Sequence, residues 1–571
     1  MFRVVVVGVA IVVAGAVAAA ERVLPIRMSG LVVGSEIVVD HGDVTEAFIT
    51  VRKGPRIALH ALLDKRGDTI ARWGRGWPWL QGDEGPLPVT RLALKARTGH
   101  PAVFSCGRDL LGACYRVEDL VWGSCFVWLD PQQRMRAAYV PNPIAPLVAA
   151  AAEDEERVLR LAARHSVREL QRKIDAAVLT RSRVIAIRGV TLVDPLSPAP
   201  LRNAVVVIEG ERIRDAGVDV SIPDDAFVIE GGGATVLPGL WDSHAHMKHA
   251  AWGPAYLAVG ITSVRDLGGD LASTTELRDR FAERGAPGPA MHLAGFIDAA
   301  SDPPYTAVQA NTAADARALV ERFRGAGYDQ IKIWENLQPE VVRELASQAR
   351  RAGMPLTGHV PPAMSVYGAV EAGLTQINHS DALLEAAKDD PAAIGRFLRE
   401  RNVVVEPTLV VGEFHWRDIG RPLSELEPDL ARVRADMRRA NEGLHPMTGD
   451  AAAGNAMFRR NLALVRALRD AGVTLLAGSD QGIPGYSLLR ELELLAEAGL
   501  TNLEAIQAAT STPARVFGDH DGGSIAKGKR ADLVLIDGDP LTDLRVLRRP
   551  RIVFRRGIPY DPERLRTIAH Q

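Results

Sequence analysis

The sequence predicts an α/β protein built around a (β/α)8 TIM barrel, with additional β-rich segments on both sides of it. Three observations lead to this fold class. Apolar runs alternate with helical stretches between residues 236 and 518, closely spaced β-type runs lie on either side of that region, and 571 residues are too many for one domain. A repeated strand–helix alternation favours a parallel sheet covered by helices.

The barrel prediction depends on eight apolar runs of strand length, most of them separated by stretches of helical periodicity. Eight strand–helix units in about 280 residues match the size of a (β/α)8 barrel. The predicted strands are residues 236–240, 261–267, 290–297, 330–334, 356–360, 375–378, 403–409 and 473–477. We therefore assign residues 236–518 to the barrel.

The segments that flank the barrel predict a second β-rich unit. Short β-type runs occur at residues 184–187, 190–193, 204–208, 531–536 and 552–554. The runs after the barrel would most simply rejoin the sheet begun before it. Residues 183–235 and 519–560 are therefore expected to form a composite β-sandwich domain.

The N-terminal third has a different texture. Residues 21–148 consist of short β-type runs broken by Gly and Pro, which predicts an extra β-rich domain of unknown role. Its clustered tryptophans, Trp122 and Trp128 among them, more often fill a small core than form a binding platform. Apolar residues at helical spacing between 149 and 182 predict a connecting helix.

Residues 1–20 have the features of a secretory signal peptide. Arg3 precedes an apolar run, and three alanines at 18–20 offer a cleavage site. The run is shorter than the roughly 20 residues that span a bilayer, so cleavage is favoured over an uncleaved anchor. We expect a periplasmic or secreted protein with no stable membrane insertion after signal cleavage.

Three cysteines, Cys106, Cys114 and Cys125, lie in one short stretch. In an oxidising compartment two of them can pair and leave the third free. The sequence does not choose the pair, and three reduced cysteines are the alternative. None has a cysteine or histidine partner at zinc-finger spacing, so no metal is assigned to them.

The composition restricts the class of partner. With 47% hydrophobic and 24% charged residues, the chain is an ordinary globular protein. A formal net charge of −2 gives no electrostatic reason to expect nucleic acid. Nucleic acid is therefore not expected as a partner, and the sequence leaves a homo-oligomer open.

Reactive side chains stand at the ends of several predicted strands. His244 and His246 follow the first run, and alternate residues of a strand point the same way, so both imidazoles can bind one metal ion. Four later runs lead to Lys332, His359, His379 and Asp480. The carboxyl ends of barrel strands all open on one face, where active sites are built. These side chains therefore predict a single site.

With these residues the chain resembles the metal-dependent amidohydrolase superfamily, in particular its imidazolonepropionase-related, dipeptidase-like branch. The likeness is carried by Leu-Pro-Gly-Leu-Trp-Asp-Ser-His-Ala-His at 237–246, Ile-Lys-Ile at 331–333, Gly-His-Val at 358–360, Asn-His at 378–379 and Gly-Ser-Asp at 478–480. Tail motifs at 508–514 and 523–535 extend it. The likeness runs from about residue 183 to residue 560 and leaves the N-terminal third unexplained.

The resemblance implies two divalent metal ions, with zinc the favoured identity. The more buried ion would be held by His244, His246 and Asp480. The more exposed ion would be held by His359 and His379. Lys332 would be carboxylated on Nζ and would bridge the two ions. Chemistry supports this role, because burial lowers the pKa of an amine, and the neutral amine can take up CO2 as an anionic, two-oxygen carbamate.

The resemblance also implies hydrolysis of an amide bond. Hydroxide generated at the metal would attack the carbonyl, and Asp480 would take the proton and pass it to the leaving nitrogen. Two further residues on this face have two interpretations each. Arg265 either pairs with a substrate carboxylate or forms an internal salt bridge with Asp266. Tyr367 either donates a hydrogen bond to the oxyanion or packs against its neighbours.

We expect an exported hydrolase of C–N bonds in small substrates such as dipeptides, N-acyl amino acids or cyclic amides. A mononuclear zinc deaminase on the same barrel is one alternative, although Val-Pro-Pro-Ala at 360–363 lacks the Glu that such deaminases typically carry there. A non-catalytic binding protein is the other, and the complete set of six ligands argues against it.

Overall fold

The computed structural model of the chain describes most residues after position 20. The described ranges are 21–28, 31–40, 45–51, 58–63, 69–74, 103–117, 124–131, 135–141, 147–301, 308–416, 422–433, 450–480 and 482–570, with Arg438. The predicted signal peptide and Trp122 lie outside them. Within these ranges, no helix has both the length and the apolar character needed to cross a membrane.

The N-terminal part of the chain forms one antiparallel sheet of ten strands. Their bounds are β1 Glu21–Met28, β2 Leu31–Asp40, β3 Thr45–Val51, β4 Ala58–Leu63, β5 Thr69–Gly74, β6 Val103–Asp109, β7 Gly112–Val117, β8 Cys125–Leu129, β9 Met135–Val140 and β10 Leu147–Ala149. They lie side by side in the order β5-β4-β3-β2-β1-β10-β9-β8-β7-β6. Trp128 is fully buried in a small apolar cluster between this sheet and the helix that follows.

That helix, α1 (Glu155–Ile174), connects the sheet to the rest of the protein. Its apolar face is buried, and Arg164 on its opposite flank pairs with Glu276 of the central barrel at 2.9 Å. A second contact joins the sheet to the barrel, because the Tyr139 hydroxyl lies 3.2 Å from His249 Nδ1. His249 follows the first barrel strand, so the N-terminal sheet packs beside the loop that begins at His246.

Five strands then lead into the barrel: β11 Val184–Leu192, β12 Leu201–Glu209, β13 Arg212–Gly217, β14 Phe227–Glu230 and β15 Thr235–Pro238. The eight barrel strands follow: β16 Leu240–Ala245, β17 Ile261–Asp266, β18 Ala290–Ile297, β19 Gln330–Ile333, β20 Leu356–Gly358, β21 Gln376–Asn378, β22 Val404–Glu406 and β23 Thr474–Leu475. These eight pair in parallel in chain order. Ser243 N donates to Ala477 O at 3.0 Å, which links the end of the last strand back to the first.

Helices cover the barrel between and after its strands: α2 Trp252–Leu257, α3 Leu271–Phe281, α4 Ala313–Gly325, α5 Pro339–Arg351, α6 Val366–Ala372, α7 Asp381–Ala386, α8 Pro391–Glu400, α9 Leu409–Trp416, α10 Leu423–Leu426, α11 Ala451–Asp470, α12 Tyr486–Glu497, α13 Asn502–Ala508 and α14 Ser511–Val516. The largest buried apolar cluster fills the space between these helices and the strands. The predicted TIM-like barrel is confirmed.

Three strands follow the barrel, β24 Leu533–Ile536, β25 Pro550–Arg555 and β26 Ile558–Tyr560, and the chain ends with α15 Pro562–Ala569. β24 pairs antiparallel with β15, and β25 pairs with β24. The segments before and after the barrel therefore share one mixed sheet of eight strands, ordered β13-β12-β11-β15-β24-β25-β26 with β14 beside β11.

The first predicted barrel strand is wrong in position. Residues 236–240 cross the junction between two sheets, because Val236 pairs with Leu535 in the flanking sheet and β16 of the barrel begins only at Leu240. Gly239 marks the break, where a Cβ atom would lie 2.1 Å from Thr262 Oγ1. The shift brings His244 into β16.

Candidate active site

The carboxyl ends of the barrel strands bring all six predicted metal ligands to one face. His244 lies in β16 and His246 just beyond it, Lys332 lies in β19, His359 and His379 directly follow β20 and β21, and Asp480 comes shortly after β23. Each of the six is buried or half-buried. Five separate strands thus contribute to one cluster.

Each histidine of the cluster has a defined ring orientation. The Nδ1 partners are Glu406 Oε2 at 2.8 Å for His244, Gly268 O at 3.1 Å for His246, Glu335 Oε1 at 3.0 Å for His359 and Thr408 Oγ1 at 2.6 Å for His379. Thr408 donates its own proton to Pro407 O at 2.8 Å, so its oxygen can accept from His379. A hydrogen bond at Nδ1 fixes the tautomer and directs Nε2 to a metal.

Three Nε2 atoms converge on the carboxylate of Asp480. Oδ1 lies 2.9 Å from His246 Nε2 and 3.3 Å from His244 Nε2, and Oδ2 lies 3.8 Å from His379 Nε2. One ligand atom each from His244, His379 and Asp480 fall within 4.8 Å of one another. This spacing allows the three side chains to share one metal ion.

Burial and neighbouring charge set the protonation of these groups. Burial lowers the pKa of His244, His359 and His379 well below the usual range, so the imidazoles are neutral, the form that binds metal. Burial alone would raise the pKa of Asp480, but the close contact with His246 and the nearby charge of Lys332 hold it below its usual range. Asp480 is therefore ionised at neutral pH.

Lys332 of β19 is fully buried. Its Nζ has no hydrogen-bond partner among the described residues and lies 5.4 Å from the centre of the Trp334 ring. Burial lowers the pKa of Lys332 to about 8, against the opposing influence of Asp480 and Glu406. An unpartnered buried ammonium is costly, so this amine gives up its proton far more readily than a surface lysine.

A buried ion pair between Arg265 and Glu406 lies next to His244. Glu406, in β22, accepts hydrogen bonds from Arg265 Nη2 at 3.0 Å and from Asn378 Nδ2 at 3.0 Å, and it contacts His244 Nδ1. Both side chains of the pair are 1% exposed. Glu406 therefore links the most buried histidine of the cluster to a guanidinium inside the barrel.

Arg265 differs from both of its predicted interpretations. Its remaining donors bond inside the barrel, to Ser243 O and to Gln376 Oε1, each at 2.6 Å. The guanidinium is too deeply buried to contact a substrate carboxylate, and its ion-pair partner is Glu406 instead of Asp266. The prediction that Arg265 binds substrate is wrong, because β17 points this side chain into the barrel.

The backbone is strained where the ligands emerge. His379, Thr408 and Asp480 have φ values of 64°, 46° and 42°. Positive φ is uncommon for residues other than glycine and costs free energy unless the surrounding structure holds it. Strain of this kind concentrates at functional sites, and here it falls on two predicted ligands and on the residue that orients one of them.

Comparison with known proteins identifies the family. The sequence pattern of the amidohydrolase family matches residues 235–557. The chain belongs to the amidohydrolase family. Ochratoxinase of Aspergillus niger is 24% identical over 456 residues, which cover 67% of this chain and 88% of that enzyme. Imidazolonepropionase of Paenarthrobacter aurescens is 26% identical over 422 residues, which cover 67% of this chain and 97% of that enzyme.

Solved structures show the same fold. A Xaa-Pro dipeptidase with bound methionine has a TM-score of 0.54 and 22% identity to this protein. The match covers 66% of this chain and 100% of the dipeptidase chain. The resemblance to amidohydrolases that the motifs indicate is confirmed, and the family match begins only at residue 235, after the N-terminal sheet and α1.

The donor atoms of this amidohydrolase site fit a divalent metal. His244 Nε2, His359 Nε2 and Lys332 Nζ are buried without a hydrogen bond to the described residues. Leaving buried polar atoms unpaired costs free energy. Imidazole nitrogens and a carboxylate are the donors that zinc and similar ions accept, so a bound ion would satisfy these atoms.

Exposure does not separate the two predicted metal pairs. His244 is 1% exposed, but its predicted partner His246 is 20% exposed. His359 and His379 are 15% and 13% exposed. Only the burial of His244 therefore supports the prediction that one ion is more buried than the other.

Three residues that orient the histidines were missed by the sequence analysis. Glu406 ends β22, Thr408 lies two residues further on, and Glu335 lies two residues after β19. Each stands at a strand end, as the ligands do. Of the three, Glu406 could have been recognised in the sequence, since it is a charged residue inside the apolar run 403–409. A buried charge needs a partner.

The oxyanion role of Tyr367 stays a prediction. The tyrosine lies in α6, is 40% exposed, and packs against Phe397 with ring centres 4.6 Å apart. If its hydroxyl stabilises the oxyanion, Tyr367→Phe is expected to lower kcat by about 10²–10³-fold. Phenylalanine keeps the contact with Phe397, so the Tm should not change. Steady-state kinetics decides, and an unaltered kcat would assign Tyr367 to packing.

Proposed function

We propose that the protein is an exported, binuclear metal-dependent hydrolase of amide bonds in small substrates. Hydrolysis of C–N bonds is the activity that membership of the amidohydrolase family supports. The observation that carries the proposal is the convergence of oriented histidines and Asp480. It is joined by the buried Lys332, which has no hydrogen bond within the part of the chain that the structure describes. Dipeptides, N-acyl amino acids and cyclic amides are the substrate classes proposed.

The proposed division of the ligands between two ions comes from the family resemblance, whereas distance alone groups His244, His379 and Asp480 around one ion. One ion is assigned to His244, His246 and Asp480. His359 and His379 would hold the other, and Lys332, once carboxylated, would be a ligand of both. Zinc is the proposed identity, because its preferred donors match this set. When bound, such ions lower the pKa of a water molecule to about 7 and polarise the substrate carbonyl.

The chain's own residues carry the proton through the reaction. Asp480 is ionised and lies at the centre of the site, so it can accept the proton of the attacking water. It then returns that proton to the amide nitrogen, which leaves poorly unless it is protonated. Glu406 and Thr408 keep His244 and His379 in one orientation, so these rings need no rearrangement during turnover.

Asp480→Asn is expected to lower kcat by about 10²–10⁴-fold, the usual contribution of a general acid–base group. Asparagine keeps the side-chain shape and one oxygen donor but carries no titratable proton. Steady-state kinetics should be paired with metal analysis of the same sample. A variant that retains its metal and most of its kcat would remove Asp480 from the proton pathway.

The pH dependence of Lys332 carboxylation is expected to follow the lowered pKa of about 8. The neutral amine attacks CO2, forms the carbamate N–C bond and releases one proton. At constant CO2 pressure, the initial rate of carbamate formation in metal-free protein should rise about tenfold per pH unit below pH 8 and level off above it, because only the neutral amine attacks CO2. ¹³C NMR with labelled CO2 measures this. A rise that continues to pH 10 would give Lys332 an ordinary pKa.

The substrate class can be tested with a library of dipeptides, N-acyl amino acids and cyclic amides. Release of a free amino acid or amine supports the proposal, whereas release of ammonia indicates a deaminase. Metal analysis separates the same alternatives, since two zinc ions per chain are expected here and one for a mononuclear deaminase. Cell fractionation tests the proposed export, and a purely cytoplasmic protein would contradict it.

A further inference from the structure

A second cluster of metal-binding side chains lies in the N-terminal part of the protein, away from the barrel site. One donor atom each from Cys106, Cys114 and His165 fall within 4.8 Å of one another. Both cysteines are free thiols. Cys114 is fully buried, Cys106 is half-buried, and the His165 side chain is 9% exposed. The three groups thus meet in a largely enclosed place.

The cysteines are brought together by an irregular hairpin. Ser105 pairs with Tyr115 and Gly107 pairs with Cys114, so Cys106 is an extra residue between two regular pairs of β6 and β7. Such a bulge re-aims a side chain at the edge of a sheet. Gly107 has a φ of 97°, a conformation that glycine adopts without strain. The local backbone is thus built to turn Cys106 towards Cys114.

His165 is oriented by a carboxylate. Its Nε2 lies 3.1 Å from Asp109 Oδ2, and Asp109 also accepts hydrogen bonds from Trp128 Nε1 at 2.8 Å and from Leu111 N at 2.9 Å. These contacts hold the carboxylate in place at the end of β6. A histidine that binds metal commonly has one ring nitrogen bonded to a carboxylate in this way.

The cluster joins two elements that are far apart in sequence. Cys106 and Cys114 belong to the hairpin, whereas His165 lies in the middle of α1. One turn further along α1, Glu169 forms an ion pair with Arg116 of β7. An ion held here would therefore fasten the edge of the N-terminal sheet to the helix that connects it to the barrel.

We propose that Cys106, Cys114 and His165 form a second metal site, for a thiophilic divalent ion such as Zn²⁺, separate from the catalytic site. Bonds of 2.0–2.3 Å place tetrahedral ligands about 3.3–3.8 Å apart, which the observed spacing accommodates. Binding releases one proton from each thiol to solvent and leaves one position for water. The proposal is independent of the substrate and of the reaction in the barrel.

Cobalt substitution tests this site selectively. The full-length, reduced protein is stripped of metal and titrated with Co²⁺, and absorption from thiolate-to-cobalt charge transfer is recorded. The proposed catalytic ligands contain no sulfur, and the chain has 3 cysteines. We expect the band to appear in the wild-type protein and to be lost in Cys106→Ser and Cys114→Ser. His165→Asn should weaken Co²⁺ binding at this site by about tenfold or more.

Cys125→Ser is the matched control, because Cys125 lies on the neighbouring strand β8 and is not among the three grouped donors. It should keep the band, and zinc analysis should show one ion more per chain in Cys125→Ser than in Cys106→Ser. Absence of the band in the wild-type protein overturns the proposal. So does a Cys106–Cys114 disulfide found by mass spectrometry in protein purified without reductant. Neither the cobalt absorption band nor the zinc content depends on catalytic turnover.

Discussion

Lys332→Ala is expected to lower kcat by about 10³-fold or more and to reduce the amount of bound metal. The loss in kcat should exceed that caused by removing a single preorganised electrostatic group. The lysine is fully buried, and its Nζ has no hydrogen bond to any described residue. Alanine can neither carry a carbamate nor replace its oxygens. The truncated side chain leaves an enclosed space beside Asp480 and the histidines. Millimolar acetate or propionate should restore part of the activity by supplying a carboxylate in that space.

Two further variants make this result specific. Lys332→Arg keeps the positive charge but cannot take up CO2, so it should be as inactive as Lys332→Ala. Lys388→Ala removes an exposed lysine whose ammonium pairs with Glu385, three residues earlier, and it should leave kcat unchanged. Kinetics and metal analysis on all three proteins decide the matter. If Lys332→Arg keeps two metals and full turnover, the bridging role of Lys332 is wrong.

The cluster of predicted ligands can be recognised in the sequence because these residue types are unusual in apolar runs. Burying a lysine inside an apolar strand, as in Gln-Ile-Lys-Ile at 330–333, costs free energy, so its presence there indicates a specific role. Histidines at the ends of several apolar runs repeat one signal, and the barrel geometry converts that repetition into a single face. No tertiary contact has to be known for this inference.

Other features depend on contacts between residues that are distant in sequence. Arg265 has the same appearance in sequence whether it points into the barrel or towards the substrate, and only the pairing of β17 with its neighbours decides this. His165 lies more than forty residues after Cys114 in the sequence. Its place in the cysteine cluster is therefore visible only in the folded chain. The Gly239 break is likewise visible only through its close approach to Thr262.

The buried pair of Arg265 and Glu406 gives the largest expected effect on stability. Glu406→Gln removes the negative charge but keeps the shape of the side chain, and it leaves the Arg265 guanidinium buried without a counter-ion. Breaking a buried pair on one side costs about 3–5 kcal/mol. At roughly 2–4 °C per kcal/mol, the apparent Tm of metal-free protein should fall by roughly 6–20 °C.

The metal-free form is the proper sample, because ligands that bind only the folded state raise the apparent Tm. Glu344→Gln is the matched control, since Glu344 pairs with Arg317 at the surface, where loss of a partner costs about 0–1 kcal/mol. An Arg265→Met/Glu406→Leu double variant should recover stability, because replacing both charges leaves neither uncompensated. It should not recover activity, since His244 loses its Nδ1 acceptor. Burial raises the pKa of Glu406 well above its usual value, so an unchanged Tm in Glu406→Gln would mean that Glu406 is already uncharged in the folded protein and would overturn the ion pair.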